Sequence, residues 1–276
     1  YSQYAALPFI QIADITGVYG ISFLIILINH LIVDWIVWFK KAGNPGNMPE
    51  KTSHKKAPLL SSVFIALLIA ITLIYGHIRL SKIQSLADSA SKPSVAVIQG
   101  NIAQDIKWSD EFKTATTEKY IFLSKSTLAD SPDLIIWPES ALPFYYGYEQ
   151  TLSVQVNRFI RKADTNFLIG SPAFEAREEK ILYFNRAYML NQFSIVTGSY
   201  DKNHLVPFGE YVPFEEYLFF LGKMVAQVSD FSAGDAGFIP LKFKEHKTGV
   251  IICFEILFPH ITSKFVKNGA DMLITI

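Results

Sequence analysis

Residues Thr248–Pro259 read TGVIICFEILFP, and this stretch decides the fold. Gly249–Cys253 is a short run of apolar, mostly β-branched residues, the pattern of a strand buried on both faces. It ends on Cys253, the single cysteine of the 276-residue chain. Taken alone, a thiol after such a run is most simply a small buried hydrophobe. Working outward, similar runs recur: VAVIQ from Val95, LIIW from Leu134, FLIG from Phe167, AYML from Ala187, SIVTG from Ser194 and MLITI from Met272. Helix-like segments at Glu111–Ala129, Gln150–Asp164 and His260–Asn268 lie between several of them. Strands alternating in part with helices predict a layered α/β domain. The consecutive strands between residues 167 and 199 predict a mixed sheet.

The chain divides sharply. Residues 1–80 are very apolar, 81–94 read as a polar linker, and 95–276 mix charge, aromatics and apolar runs as a globular domain does. Ile15–Val33 (ITGVYGISFLIILINHLIV) and Ala57–Gly76 (APLLSSVFIALLIAITLIYG) carry no formal charge. About 20 such residues cross a bilayer core, so both are expected to be membrane spans rather than buried core helices. Trp35 and Trp38 suit an interfacial aromatic belt, and Asn29, His30 and Asp34 are expected to face other helices. The loop at 40–56 holds Lys40, Lys41, Lys51, Lys55 and Lys56 against Glu50. Such a positive loop belongs in the cytoplasm, which places everything after about His77 on the outer side.

Formal net charge is zero, and no basic stretch with interleaved aromatics is present, so nucleic acid is not an expected partner. One cysteine rules out an internal disulfide or a Cys-rich zinc site. No ligand spacing suggests a metal and no glycine-rich phosphate loop follows a strand, so no cofactor is expected. The chain opens on Tyr1 without a basic region and cleavage site, and reads as a piece of something longer without a signal peptide.

Chemistry gathers where strands end, as ligands do in α/β folds. DLIIWPESALP puts Glu139 just beyond a strand, with Pro138 turning the chain out of the sheet. GSYDKNHLVPFGEYVPFE offers Lys202, His204 and Glu210 after another, and GVIICFE offers Cys253 after a third. Singly, Glu139 reads as an acid near a helix start and Lys202 as a solvated loop lysine. Together they complement the thiol: a carboxylate can deprotonate it, and an ammonium can hold an oxyanion. A Cys–His pair through His204 or His260 stays open but explains neither Glu139 nor Lys202.

In the order Glu, Lys, Cys, these motifs resemble the nitrilase (carbon–nitrogen hydrolase) superfamily. VAVIQGNIAQDIKW, IIWPESALP, KNHLVPFGEYVPFE and GVIICFEILFP, behind PFIQIADITGVYGISFLI, further resemble its apolipoprotein N-acyltransferase branch. The resemblance runs from about Pro8 to Ile276. It implies a nitrilase-like αββα sandwich, at 95–276, on the outer face of a bacterial inner membrane. It also implies a bundle of eight membrane helices, the others falling before Tyr1 and after Ile276. Carried over residue by residue, Glu139 becomes general base, Lys202 oxyanion stabiliser and Cys253 nucleophile. Glu210, Trp108 and Glu255 become supporting residues, and Phe254 stands where the family commonly has tyrosine. The implied activity moves an sn-1 acyl chain from a phospholipid, through a cysteine thioester, to the α-amino group of a diacylglyceryl-cysteine in an apolipoprotein. Two rival readings remain: a membrane-tethered amidase for small amides, and a non-catalytic domain that binds lipoproteins. LPFYYGY (Leu142–Tyr148) and FEEYLFFLGKMVAQV (Phe214–Val228) read either as apolar lids over the site or as core packing.

Overall fold

The computed structural model describes residues 3–42, 57–103, 110–177, 180–211 and 231–276. They form two compact units, Tyr1–Ser91 and Lys92–Ile276.

The first unit is helical: α1 (Leu7–Ile10), α2 (Ala13–Ala42) and α3 (Leu59–Ser89). Ala13–Lys40 and Leu59–Ser89, with mean hydropathy 2.1 and 2.4, are long and apolar enough to cross a membrane. Most of their apolar side chains, among them Leu60, Val63, Phe64 and Ile74, are exposed. A core helix of a water-soluble domain would bury them. At Gly17 the backbone takes φ +63°, which interrupts α2 after its first turn. The short end is tied to α3, because Asp14 accepts hydrogen bonds from Tyr75 Oη (2.8 Å) and Arg79 Nε (2.7 Å). Further along, Trp35 Nε1 donates to Ser62 Oγ at 2.9 Å. His30 and Asp34 pair with each other at 3.6 Å on an exposed side of α2. α3 continues through the polar SLADS segment to Ser89, so part of the stretch read as linker is helix. The lysine-rich loop lies largely outside the described residues.

The second unit holds β1 (Val95–Val97), α4 (Asp110–Thr127), β2 (Leu134–Ile136), α5 (Gln150–Ala163), β3 (Asn166–Arg177), β4 (Lys180–Leu190), β5 (Val196–Asp201), β6 (Leu241–Phe243), β7 (His246–Ile251), α6 (Pro259–Lys267) and β8 (Met272–Thr275). β1 to β5 form one sheet in sequence order. β1, β2 and β3 are parallel, and β3–β4–β5 are antiparallel. β6, β7 and β8 form a second sheet, antiparallel then parallel. Both sheets are mixed.

Alternation along the strands sorts the core into two layers. Ile135, Phe167, Ile169, Phe184 and Tyr188 point toward α4 and α5, where Leu152, Val156, Phe159 and Ile160 make the apolar stripe of α5. Their neighbours Leu134, Ile136, Leu168, Ala187 and Met189 point the other way, onto Val250 and Ile251 of the second sheet. α6 lies against β7, with Phe265 over Gly249. The layers therefore run helix, sheet, sheet, helix, which is the expected αββα sandwich. Trp137, fully buried just past β2, donates from Nε1 to Ser124 Oγ on α4 at 2.8 Å. That bond fixes where the chain leaves the sheet, two residues before Glu139.

Candidate active site

The turn carrying Glu139 is built by its neighbours. Trp137 N–H still bonds to Leu168 O at 2.8 Å, extending the ladder by one residue before Pro138 ends it. Ala141 N–H then closes back on Pro138 O (3.1 Å), with Ser140 at φ +47°. Beneath lies Gly170 of β3, where a Cβ would stand 2.4 Å from Pro138 O and 2.8 Å from Glu139 Cα. Those contacts are backbone, so no side chain can swing aside. Gly170→Ala is expected to lift the Glu139 turn and to destabilise the domain by about 1–3 kcal/mol. Denaturant unfolding measures the stability change, and alkylation of Cys253 measures the displaced carboxylate.

Lys202 follows β5. Its N–H donates to Asn185 O of β4 (2.9 Å), and its carbonyl accepts from Gly234 N–H (3.0 Å). The side chain is only 1% exposed. Nζ lies 2.8 Å from Glu210 Oε1 and 3.6 Å from Glu139 Oε1. Glu210 is held by Val206 N–H on its Oε2 (2.9 Å). Asn185 joins the two carboxylates, its Nδ2 donating to Glu139 Oε1 at 2.6 Å and to Glu210 Oε1 at 3.2 Å.

Cys253 follows β7 and begins a 3-10 turn that ends at Leu257. Its N–H bonds to Ile276 O beyond β8 (2.8 Å), and its φ of +55° is costly for a residue with a Cβ. Two residues on, Glu255 turns inward and is completely buried. Its Oε1 accepts from Tyr200 Oη (2.9 Å), Asn203 N–H (2.8 Å) and His204 N–H (3.0 Å), and its Oε2 from Ile252 N–H (2.9 Å). One carboxylate thus ties the segment around Lys202 to the turn around Cys253. Burial, and then the Glu255 charge, push the Tyr200 phenol well above its ordinary value.

The electrostatics follow from packing. Burial alone would lower the Lys202 ammonium. The Glu210 hydrogen bond and the charges of Glu139 and Glu210 outweigh it and hold it above the ordinary lysine value. Burial pushes the Cys253 thiol up, the Glu139 charge adds to that push, and Lys202 opposes it. The thiol is therefore protonated at neutral pH, with the Glu139 carboxylate near enough to act on it electrostatically. A resting thiol beside a carboxylate and a buried cation can attack an acyl carbonyl only if its proton moves as it attacks.

The structure thus brings Glu139, Lys202, Glu210 and Cys253 together. Glu255 lies beneath them as a tie, and Phe254 stands 53% exposed beside the thiol. Trp108 and the apolar arm at 214–228 lie outside the described residues. The other lid candidate packs inward at Leu142, Phe144 and Tyr146, leaving Tyr145 and Tyr148 to lean outward on Phe174. The rings of His204 and His260 contact Phe258, while the charges acting on the thiol are those of Glu139 and Lys202. Asn185 escaped the sequence reading; its one signal is a lone amide flanked by Phe184 and Arg186 in a strand that is otherwise largely apolar.

Comparison with known proteins places the chain in a family. The carbon-nitrogen hydrolase family profile matches residues 94–276, and the profile of the apolipoprotein N-acyltransferase N-terminal domain matches residues 1–31. An apolipoprotein N-acyltransferase of Geobacter metallireducens is 41% identical over 100% of this chain and 50% of its own length. Apolipoprotein N-acyltransferase 2 of Treponema denticola is 31% identical, covering 98% of this chain and 52% of that protein. The Pasteurella multocida apolipoprotein N-acyltransferase is also 31% identical, covering 100% of this chain and 51% of that protein. The chain spans about half the length of the curated relatives it matches.

Proposed function

The chain belongs to the carbon–nitrogen hydrolase family, and on that premise we propose that it supplies the catalytic domain of a membrane-bound apolipoprotein N-acyltransferase. The observation that carries this reading is the gathering of Glu139, Lys202 and Cys253 at three strand ends, with the lysine buried against the carboxylate and both charges acting on the thiol. The exposed apolar side chains of Phe254, Ile256 and Leu257 adjoin that thiol and favour a lipid over a small polar amide. Tethering to two apolar helices keeps such a site near a bilayer. The lysine-rich loop at 40–56 favours an inner-membrane protein with this domain on the periplasmic side.

In the first half-reaction Glu139 takes the proton from Cys253 Sγ as sulfur attacks the sn-1 ester carbonyl of a phospholipid. The negative charge that develops on the carbonyl oxygen is stabilised by Lys202. On collapse the C–O bond breaks, and the departing alkoxide takes the proton back from Glu139. Lysophospholipid leaves and the acyl chain stays on sulfur as a thioester. In the second half-reaction the α-amino group of a diacylglyceryl-cysteine at the N-terminus of an apolipoprotein attacks the thioester. Glu139 accepts the amine proton and returns it to the departing sulfur, giving the amide and the free thiol. Two half-reactions sharing one acyl-enzyme predict ping-pong kinetics.

The test is an acyl-transfer assay on the full-length protein with phospholipid vesicles and a diacylated lipopeptide. Formation of the triacylated peptide, with parallel double-reciprocal plots, is the expected result. Release of free acid from small amides with no acylated lipopeptide would replace this reading by that of a membrane-tethered amidase.

A further inference from the structure

We propose that Asn185 is a positioning residue whose side-chain amide holds the Glu139 and Glu210 carboxylates as a pair facing Lys202. Asn185 sits within β4, 3% exposed, and its side-chain amide bonds to both carboxylates. Both amide hydrogens are spent on carboxylate oxygens, which fixes the orientation of the amide, since the opposite orientation would set oxygen against oxygen. Its own backbone carbonyl accepts the Lys202 N–H, so base, second carboxylate and cation are all referenced to one residue.

The acceptor half of the amide indicates what this residue is for. Among the described residues, Asn185 Oδ1 is the buried side-chain oxygen or nitrogen recorded without a hydrogen-bond partner. An unsatisfied buried acceptor is destabilising. An asparagine placed only to satisfy the strand or fill space would be matched on both ends. Here the donor end is fully used and the acceptor end is idle, so the site uses the residue as a two-pronged donor. The recorded contacts of Asn185 Nδ2 and Lys202 Nζ on Glu139 both fall on Oε1.

Among the described residues, the charged and titratable groups placed against Glu139 include Lys202 at the end of β5, Glu210 in the loop beyond it, and Cys253 after β7. The amide fixes the position of the Glu139 carboxylate relative to the thiol and the cation. The inference rests on Glu139 and Cys253 acting as base and nucleophile, and not on the identity of the acyl donor. Its test therefore needs no lipid.

The rate of iodoacetamide alkylation at Cys253 is followed against pH by peptide mass mapping in the full-length protein. Wild type is compared with Asn185→Ala, Asn185→Asp and Glu139→Gln. The expected result is that the acid limb of the rate profile moves to higher pH in Asn185→Ala. It moves further in Asn185→Asp, which keeps the shape of the side chain and replaces a donor by a like charge. In Glu139→Gln that limb is replaced by one set by ionisation of the Cys253 thiol alone. Thermal unfolding of each variant, with Asn185→Asp as the isosteric guard, separates this shift from loss of fold. An unmoved acid limb in folded Asn185 variants, whatever happens to the absolute rate, overturns the positioning role while leaving the base intact. An unchanged profile in Glu139→Gln overturns the base–nucleophile pairing itself, and this inference falls with it.

Discussion

Replacing Lys202 by methionine is expected to lower acyl transfer by at least about 10²–10³-fold, the loss seen when one oxyanion donor is removed. Methionine preserves much of the length of the side chain, so the effect belongs to the charge. The same change leaves the partly exposed Glu139 and Glu210 carboxylates around an apolar chain with no cation between them. Deleting one partner of a fully buried ion pair costs about 3–5 kcal/mol, and solvent reaching the carboxylates, 29% and 13% exposed, brings the expected loss below that figure. The pH dependence has a definite sign. Lys202 is held above its ordinary value of 10.5, so its contribution to stability is complete below that pH. The contribution is lost as pH rises through the higher folded value. Wild type should lose stability on that alkaline side, and Lys202→Met should lack this component. Denaturant unfolding across the alkaline range, beside a transfer assay at neutral pH, measures both effects. A variant with wild-type rate and wild-type unfolding would remove Lys202 from the site.

Glu255→Ala is the second large effect, and it reaches the chemistry without touching substrate. The alanine leaves Tyr200 Oη and the N–H groups of Ile252, Asn203 and His204 without their acceptor. Each orphaned buried donor costs about 1–3 kcal/mol. The four share one carboxylate and can relax together, so a total of about 4 kcal/mol is expected. Because the lost contacts join the Lys202 segment to the Cys253 turn, activity should fall even where the protein remains folded. Glu255→Gln keeps one carbonyl oxygen but sets an N–H₂ group against Ile252 N–H, and should lie between wild type and alanine in both unfolding midpoint and rate. Equal stability of all three would mean that the two segments are tied elsewhere.

Much of this was legible in the sequence, and the exceptions share a cause. Strands buried on both faces announce themselves as short apolar runs: LIIW became β2 and GVIIC the end of β7. Helices α4, α5 and α6 start and stop within a residue or two of the expected bounds. Glu139, Lys202 and Cys253 could be proposed as a set because each follows such a run, and strand ends of a sandwich converge. β3 and β4 are longer than their apolar runs suggested, since their outer ends, the alternating FEAR and the KILY that opens on a lysine, are held by antiparallel pairing to each other. Three-residue β6 is too short to carry a pattern. The polar SLADS stretch looked like linker by composition, yet its residues continue the helix that precedes them. Asn185 was invisible for a different reason. Its role depends on register: only the pairing of β4 with β3 and β5 places it beside Glu139 and Lys202, and register is not written in any local run of residues. Glu255 drew notice only through family resemblance, because an acid two residues past a cysteine gives no local sign that it is buried.

The central claim is that Cys253 carries the acyl chain. Incubating the full-length protein with phospholipid vesicles, without lipopeptide, and measuring intact mass tests it most directly. The expected result is a mass increase of one fatty-acyl group, mapped to the peptide containing Cys253, released by hydroxylamine and by added diacylated lipopeptide, and missing in Cys253→Ala. Triacylated lipopeptide forming at wild-type rate from Cys253→Ala, or an adduct that maps to another residue, would contradict it.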